Sequence, residues 1–300
     1  MSTYRNAGLF VLLSFLWGSS FMAIKAGLEF LPPVLFAAIR YDIAGGLLLV
    51  YAAATSDYWL PRTRADWTVV AVGAVFIIGL YNAFLFVGQQ GVTSGVAAIL
   101  VAMNPVLATG FSRLLLPSER LGLLETVGLG AGLLGVGLVA RPATAGVVTA
   151  DLLAPGLVLL AASAVALGSV LVQRIESELP TVGMVGWSTV FGALALHALS
   201  GGLPSESLSD AAFTTETVLI VGYLAVFASA VGYVIYFDLL KQLGAIEINL
   251  VSYTVPVFAA ISGWVVLGES LDWLSVVGFL AIFGGFILVK HEALGERLAQ

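Results

Sequence analysis

The sequence predicts an all-α polytopic membrane protein of ten transmembrane helices, built as two inverted five-helix repeats. Three observations predict it. Hydrophobic residues make up 60% of the chain and charged residues only 10%, with a mean hydropathy of +1.05, which leaves too little polar surface to cover a soluble globule. Nearly uncharged runs of bilayer-crossing length, about 20 residues each, recur along the whole chain. The second half also repeats prolines, glutamates and glycines of the first in the same order.

The runs fall at 7–27, 33–53, 67–88, 94–114, 121–140, 153–173, 181–201, 217–238, 246–266 and 272–290. The first reads as a retained helix, because only Arg5 precedes it and Trp17, Phe21 and Lys25 stand where a leader would have small residues for cleavage. The second holds two ionisable residues, Arg40 and Asp42. Arg40 lies about 10 Å along the helix from Pro33, where it can snorkel outward, make a structural hydrogen bond, or hold a gate against a carboxylate such as Glu269. Asp42 points to another side of the helix; turned inward it is a candidate for proton coupling, turned to a neighbour it is a hydrogen-bonding group.

The third run carries Tyr81, Phe84, Leu85 and Gly88 on one face, and the fourth contains Asn104-Pro105. The sixth is apolar on every face, which excludes the alternating segments of a membrane β-barrel. The loop 202–216 has Glu206, Asp210 and Glu216 but no basic residue. The eighth run supplies Tyr233 and Tyr236 and ends on Asp238 and Lys241, spaced to pair as i, i+3. In the ninth, Asn249, Ser252, Tyr253 and Pro256 share one face. Gly128, Gly132 and Gly135 in the fifth and Gly278, Ala281 and Gly285 in the tenth form small-residue faces, first for packing inside a monomer and second for a homodimer.

At an offset of 151, residues 73–116 lie over 224–267, pairing Ala74-Val75-Phe76 with Ala225-Val226-Phe227, Phe86 with Phe237, and Pro105 with Pro256. At an offset of 150, Gly18-Ser19 falls over Gly168-Ser169, Glu119 over Glu269, Gly128 over Gly278 and Gly135 over Gly285. The halves are 1–143 and 144–300, and an odd number of spans in each makes the second enter the membrane from the opposite face. Proline cannot donate to the carbonyl four residues back, so Pro105 frees that of Val101 and Pro256 that of Ser252. In a membrane a freed carbonyl needs protein or water, which marks both prolines as hinges or walls of a midplane cavity.

With a cytoplasmic N-terminus, Arg5, Arg62, Arg64, Arg113, Arg120, Arg174, Lys241, Lys290 and Arg297 collect on the cytoplasmic side, against Lys25 and Arg141 on the other. This asymmetry predicts a multi-pass protein of the cell membrane with both termini in the cytoplasm. The absence of cysteine excludes disulfides, thiolate metal sites and thiol chemistry. His197 and His291 are the only histidines, so no metal, cofactor or enzymatic activity is expected, although a Ser or Asp beside His197 would raise the case for a dyad. The net charge of −6 gives no basis for binding nucleic acid; the partners expected are a small-molecule substrate and the lipid bilayer.

Phe15-Leu16-Trp17-Gly18-Ser19-Ser20-Phe21, Pro32-Pro33 with Phe36-Ala37-Ala38-Ile39-Arg40-Tyr41, Asn104-Pro105, Val255-Pro256, Ser118-Glu119-Arg120-Leu121 and Leu267-Gly268-Glu269-Ser270 follow one another in an order that resembles the drug/metabolite transporter superfamily. The resemblance is to its EamA-type ten-helix branch, which includes amino-acid and metabolite exporters, and it runs over essentially the whole chain. Two positions depart from it: Asp42 stands where members carry an apolar residue, and Leu167 replaces the tryptophan at the repeat position of Trp17. Glu119 and Glu269 are family-like, and each is read as a structural carboxylate at the start of the following helix.

The resemblance implies that helices 1, 3, 4, 6, 8 and 9 line a central pathway. The cavity candidates are Trp17, Ser20, Tyr81, Phe84, Asn104, Ser169, Tyr233, Tyr236, Asn249 and Tyr253, with Pro105 and Pro256 as helix breaks and Arg40 and Asp42 as gate or coupling residues. Aromatic walls with few charges suit an amphipathic small molecule. The function expected is export of metabolites, amino acids or drugs by alternating access; uptake is the alternative direction. Organic phosphates are disfavoured because only Arg40 and Lys25 are basic inside the membrane. A passive channel and an intramembrane enzyme are the alternatives of other classes.

Overall fold

The computed structural model describes residues 2–115, 122–140 and 152–289. The Ser118-Glu119-Arg120-Leu121 motif, Arg141, Lys290, His291, Arg297 and the expected junction at 143 lie outside them. All regular structure among the described residues is helical. The apolar helices are α1 (Ser2–Gly27), α2 (Pro33–Thr55), α3 (Arg64–Gln89), α4 (Ser94–Leu115), α5 (Leu123–Val139), α6 (Leu153–Gln173), α7 (Thr181–Gly202), α8 (Thr215–Leu243), α9 (Glu247–Leu267) and α10 (Trp273–Val289). Eight of them are long enough to cross a membrane; α5 and α10 are shorter. The chain is a polytopic membrane protein of about ten helices.

Large apolar side chains such as Val50, Leu134, Leu219 and Val265 stand outward, while Ser14, Ser19, Asn82 and Thr189 are buried. That distribution suits a lipid solvent, in which outward apolar surface carries no penalty and polar groups seek partners inside. Trp67 and Trp187 near the first turns of α3 and α7, and Trp264 and Trp273 at the opposite ends of α9 and α10, put indoles at both edges of the bundle, where amphipathic rings favour the headgroup region.

The helices pair in a regular way. α1 packs along α9 and α6 along α4; α3 contacts α6 and α7, and α8 contacts α1 and α2; α2 pairs with α7, α4 with α9, and α5 with α10. Exchanging each helix for the one five places along the chain leaves these most extensive pairs unchanged, while lighter contacts such as α2–α3 and α1–α4 do not follow the exchange.

Loop carboxylates fix several helix ends. Glu206, buried in the α7–α8 loop, accepts hydrogen bonds from the backbone N–H groups of Val34 (3.0 Å) and Leu35 (2.9 Å). Pro33 has no N–H to offer, so the carboxylate meets the first donors available at the positive end of α2. Glu206→Ala is therefore expected to cost about 1–2 kcal/mol, read as a lower thermal midpoint of the purified protein; an unchanged midpoint would remove the cap from the account. Asp66 caps α3 and accepts from Tyr58 and Ser177, and its carboxylate holds the Tyr58 phenol above the ordinary range by that hydrogen bond. Asp238 does not take the expected Lys241 as its partner: it pairs with Arg5 at 3.3 Å and accepts from Gln242, tying the start of α1 to the end of α8.

The interruptions fall partly where the prolines predict. α4 breaks at Ala102 and Met103, just before Asn104-Pro105, and Met103 O accepts from Val106 and Leu107. In α9 the stretch Val251–Leu267 runs through Pro256 without a break, and the interruption lies at Leu250, near Asn249. Two further irregularities are not proline-driven: α3 is π-helical over Gly73–Leu80 and α8 over Tyr223–Val231. These segments coincide under the 150 to 151 offset. Wide turns of this kind recur at functional sites.

Candidate functional site

Trp17, Arg40, Tyr41, Tyr81, Tyr233 and Tyr236 come together between α1, α2, α3 and α8. The Trp17 ring lies 5.5 Å from Tyr236 and 6.3 Å, edge to face, from Tyr233. Arg40 sits over the Tyr41 ring at 4.9 Å. Tyr81 and Tyr233 are half-buried, and Tyr81 packs against the core from α3.

The π segment of α8 builds one wall. At its end the Gly232 N–H bonds to the carbonyls of Phe227 and Ser229 and passes over that of Ala228. Trp17 Nε1 donates to this bypassed carbonyl at 3.1 Å. A Cβ on residue 232 would stand 2.8 Å from that indole nitrogen, so glycine there makes the seat. In α3 a neighbouring carbonyl of the π segment is served within its own helix: Ile78 O accepts from the Tyr81 N–H and from Asn82 Nδ2 at 2.7 Å. Ile78 matches Ser229 under the 151 offset, one residue from Ala228. Leu167, at the repeat position of Trp17, has no donor to give, and in α3 the side-chain donor at this end of the π segment is Asn82.

Arg40 is 7% exposed and donates from Nε to Ser229 Oγ at 3.1 Å; the hydroxyl belongs to the π segment of α8. It does not meet Glu269. That carboxylate follows the left-handed Gly268 (φ 66°), which ends α9 by letting the Glu269 N–H return to Gly263 O at 3.1 Å. Glu269 Oε2 then accepts the Ser94 N–H at 2.9 Å and caps α4, not the following helix as its sequence position suggests. Lys25 closes the same end, donating to the carbonyls of Gln89 (3.0 Å) and Gln90 (2.8 Å).

Asp42 faces outward. It is half exposed, and its Oδ2 lies 2.7 Å from His197 Nε2 on α7. An Asp beside His197 is the mark that would raise a dyad, but among the described residues the two side chains hydrogen-bond only to each other, and the pair stands on the outer surface of α2 and α7, away from the rings around Trp17.

The other cavity candidates scatter. Ser20 and Ser169 return their hydroxyls to the carbonyls of Trp17 (2.6 Å) and Val165 (2.8 Å) in their own helices. Phe84, one turn beyond Tyr81, packs against the core. Asn104 opens the second part of α4 with Oδ1 buried and unpartnered, and Asn249 stands at the α9 interruption. Tyr253 turns to α10, where its ring lies 4.7 Å from Phe286 and 5.2 Å from Phe283. Tyr41, Asn82, Tyr223 and Ser229 were missed; a polar Asn and Ser in otherwise apolar runs are the only sequence signals, and the π geometry that recruits them leaves none.

The family model described as the EamA-like transporter family matches the chain twice, over residues 6–141 and 152–290. The chain belongs to the EamA-like transporter family. An uncharacterized transporter, YvbV, of Bacillus subtilis is 28% identical over 98% of this EamA-like chain and 94% of its own length. The uncharacterized inner membrane transporter YedA of Escherichia coli is 29% identical over 90% and 86%. A chloroplastic WAT1-related protein of Arabidopsis thaliana is 30% identical over 92% and 67%. A solved crystal structure of a protein aligns with a TM-score of 0.66 at 22% identity, covering 99% of each chain, and supports the fold. The EamA-like chain is thus a membrane transporter by family.

Proposed function

We propose that the chain is a secondary transporter that exports small amphipathic metabolites, amino acids or drugs across the cytoplasmic membrane by alternating access. The observation that carries this reading is that the most extensive helix pairs are unchanged on exchanging each helix for its counterpart five along, together with the paired π segments of α3 and α8 beside the aromatic rings. Two halves, 1–143 and 144–300, entering the membrane in opposite senses would pair in this way, and rocking one against the other would expose the rings to each side in turn. The one-sided basic residues support cytoplasmic termini. The rings sit with one arginine, which is too little basic charge for an organic phosphate.

Counterflow in proteoliposomes tests the proposal. Saturable exchange of a preloaded amphipathic solute is expected; linear, uncoupled flux would make the protein a channel. Asp42→Asn is expected to leave saturable transport, and its response to a pH gradient, within about twofold of wild type, because Asp42 is tied to His197 outside the ring cluster. A collapse of gradient-driven transport in this variant would return Asp42 to the mechanism.

A further inference from the structure

Arg40 is a buried cation beside the Tyr41 ring, with no acid to balance it among the described residues. Its Nε is used by Ser229 and its guanidinium face lies against Tyr41, but among the described residues no carboxylate pairs with it and its remaining N–H groups have no acceptor. Asp42, two residues on, faces the other way and is held by His197. Glu269, the acid nearest in expected depth, is held at the α4 terminus. A buried guanidinium without a counter-ion is costly inside a membrane, and its planar fork is suited to a carboxylate in two parallel hydrogen bonds.

Resting on the transporter reading, we propose that Arg40 is the carboxylate anchor of the substrate site, so that the cargo is an organic carboxylate whose apolar part lies on Trp17, Tyr81, Tyr233 and Tyr236. The geometry assigns each end a role. Ser229 takes Nε, which leaves the two Nη groups without a protein acceptor among the described residues. The Tyr41 ring lies under the planar guanidinium, with Cζ 4.9 Å from its centroid, and attracts the cation to that position. Trp17 and Tyr236, 5.5 Å apart, offer apolar surface beside it. A carboxylate bound there would neutralise the charge, and the substrate would supply what the protein lacks. Amino acids and simple monocarboxylates share this group, and the choice between them is set by whether an ammonium is also received.

The test uses the purified full-length protein in detergent and four probes: 3-phenylpropanoate, 3-phenylpropanamide, phenylalanine and phenylalaninamide. Wild type is expected to bind each carboxylate about tenfold or more tighter than its amide. Arg40→Gln is expected to bring that ratio near one while keeping amide affinity, because the aromatic wall remains. Should Arg40→Gln fail to fold, Arg40→Lys decides: a ratio reduced about threefold or more supports the proposal, since a point charge lacks the fork, and an unchanged ratio overturns it. A wild-type ratio near one, no binding of either carboxylate at millimolar concentration, or discrimination that survives Arg40→Gln would each overturn the anchor. Phenylalanine and phenylpropanoate, compared with each other, separate the amino-acid source from the simple acid. Counterflow of an uncharged solute judges the transporter reading separately, so the anchor can fall while that reading stands.

Discussion

Gly135→Leu is expected to separate α5 from α10 and to abolish the folded, monodisperse protein, whereas Gly137→Leu, two residues away, is expected to leave it intact. The two helices meet backbone to backbone. A Cβ on Gly135 would lie 2.5 Å from the carbonyl oxygen of Gly278, and one on Gly285 would lie 2.5 Å from that of Gly128. Backbone atoms cannot swing aside as a side chain can, so even Gly135→Ala must push the helices apart, at about 1–3 kcal/mol. Leucine adds a branched chain to the same contact. In lipid no hydrophobic force restores the pair, because the tails are as apolar as the helix, and close packing is most of what holds it. Gly130, Gly137 and Gly284 have nothing within 4 Å of an added Cβ and serve as controls on the same two helices. Thermal midpoints in detergent should run in the order wild type and Gly137→Leu, then Gly135→Ala, then Gly135→Leu. A Gly135→Leu protein as stable as Gly137→Leu would mean that the α5–α10 contact does not hold the fold together.

The glycine faces were legible because they follow from a local rule: small residues at helical spacing allow close approach, and the structure closes Gly128 on Gly285 and Gly135 on Gly278. The helix count was legible for a similar reason, since span length is set by the bilayer. Trp17, Tyr81, Tyr233 and Tyr236 could be picked out as aromatics of the apolar runs, and the Trp17 ring meets those of Tyr233 and Tyr236. Charged residues were harder, because a charge chooses among partners that only tertiary structure brings near. Glu269 has the sequence position of a cap for α10, yet the Gly268 turn swings it back onto α4, while Asp272 takes the α10 role by accepting from Ser275. Asp42 could face either way, and one helix rotation decided it. Pro256 shows the limit of the proline rule: a missing N–H frees a carbonyl but does not dictate that the helix must break. The π segments had no sequence signature, so Ser229 and Asn82 gained their roles from geometry that no residue pattern announces.

Trp17→Phe is expected to lower stability by about 1–3 kcal/mol and to reduce saturable transport by about tenfold or more. The stability loss follows from the Ala228 carbonyl, which the Gly232 N–H passes over and which accepts from the indole; phenylalanine fills much of the indole's space but cannot donate. The larger functional loss follows from which helices the bond joins. It ties α1 to the π segment of α8, while the side-chain bond at the same end of the first half's π segment, from Asn82 to Ile78, lies wholly within α3. Asn82→Leu should therefore cost stability of the same order, yet leave the coupling between helices in place and transport closer to wild type. Comparing the two variants at matched folded fractions separates a latch between moving helices from a merely buried hydrogen bond. If Trp17→Phe and Asn82→Leu lose stability and transport in the same proportion, the indole is only a structural donor. If Trp17→Phe loses transport well beyond its share, the asymmetry between Trp17 and Leu167 marks the side of the repeat on which α1 must let go of α8 for the substrate site to open.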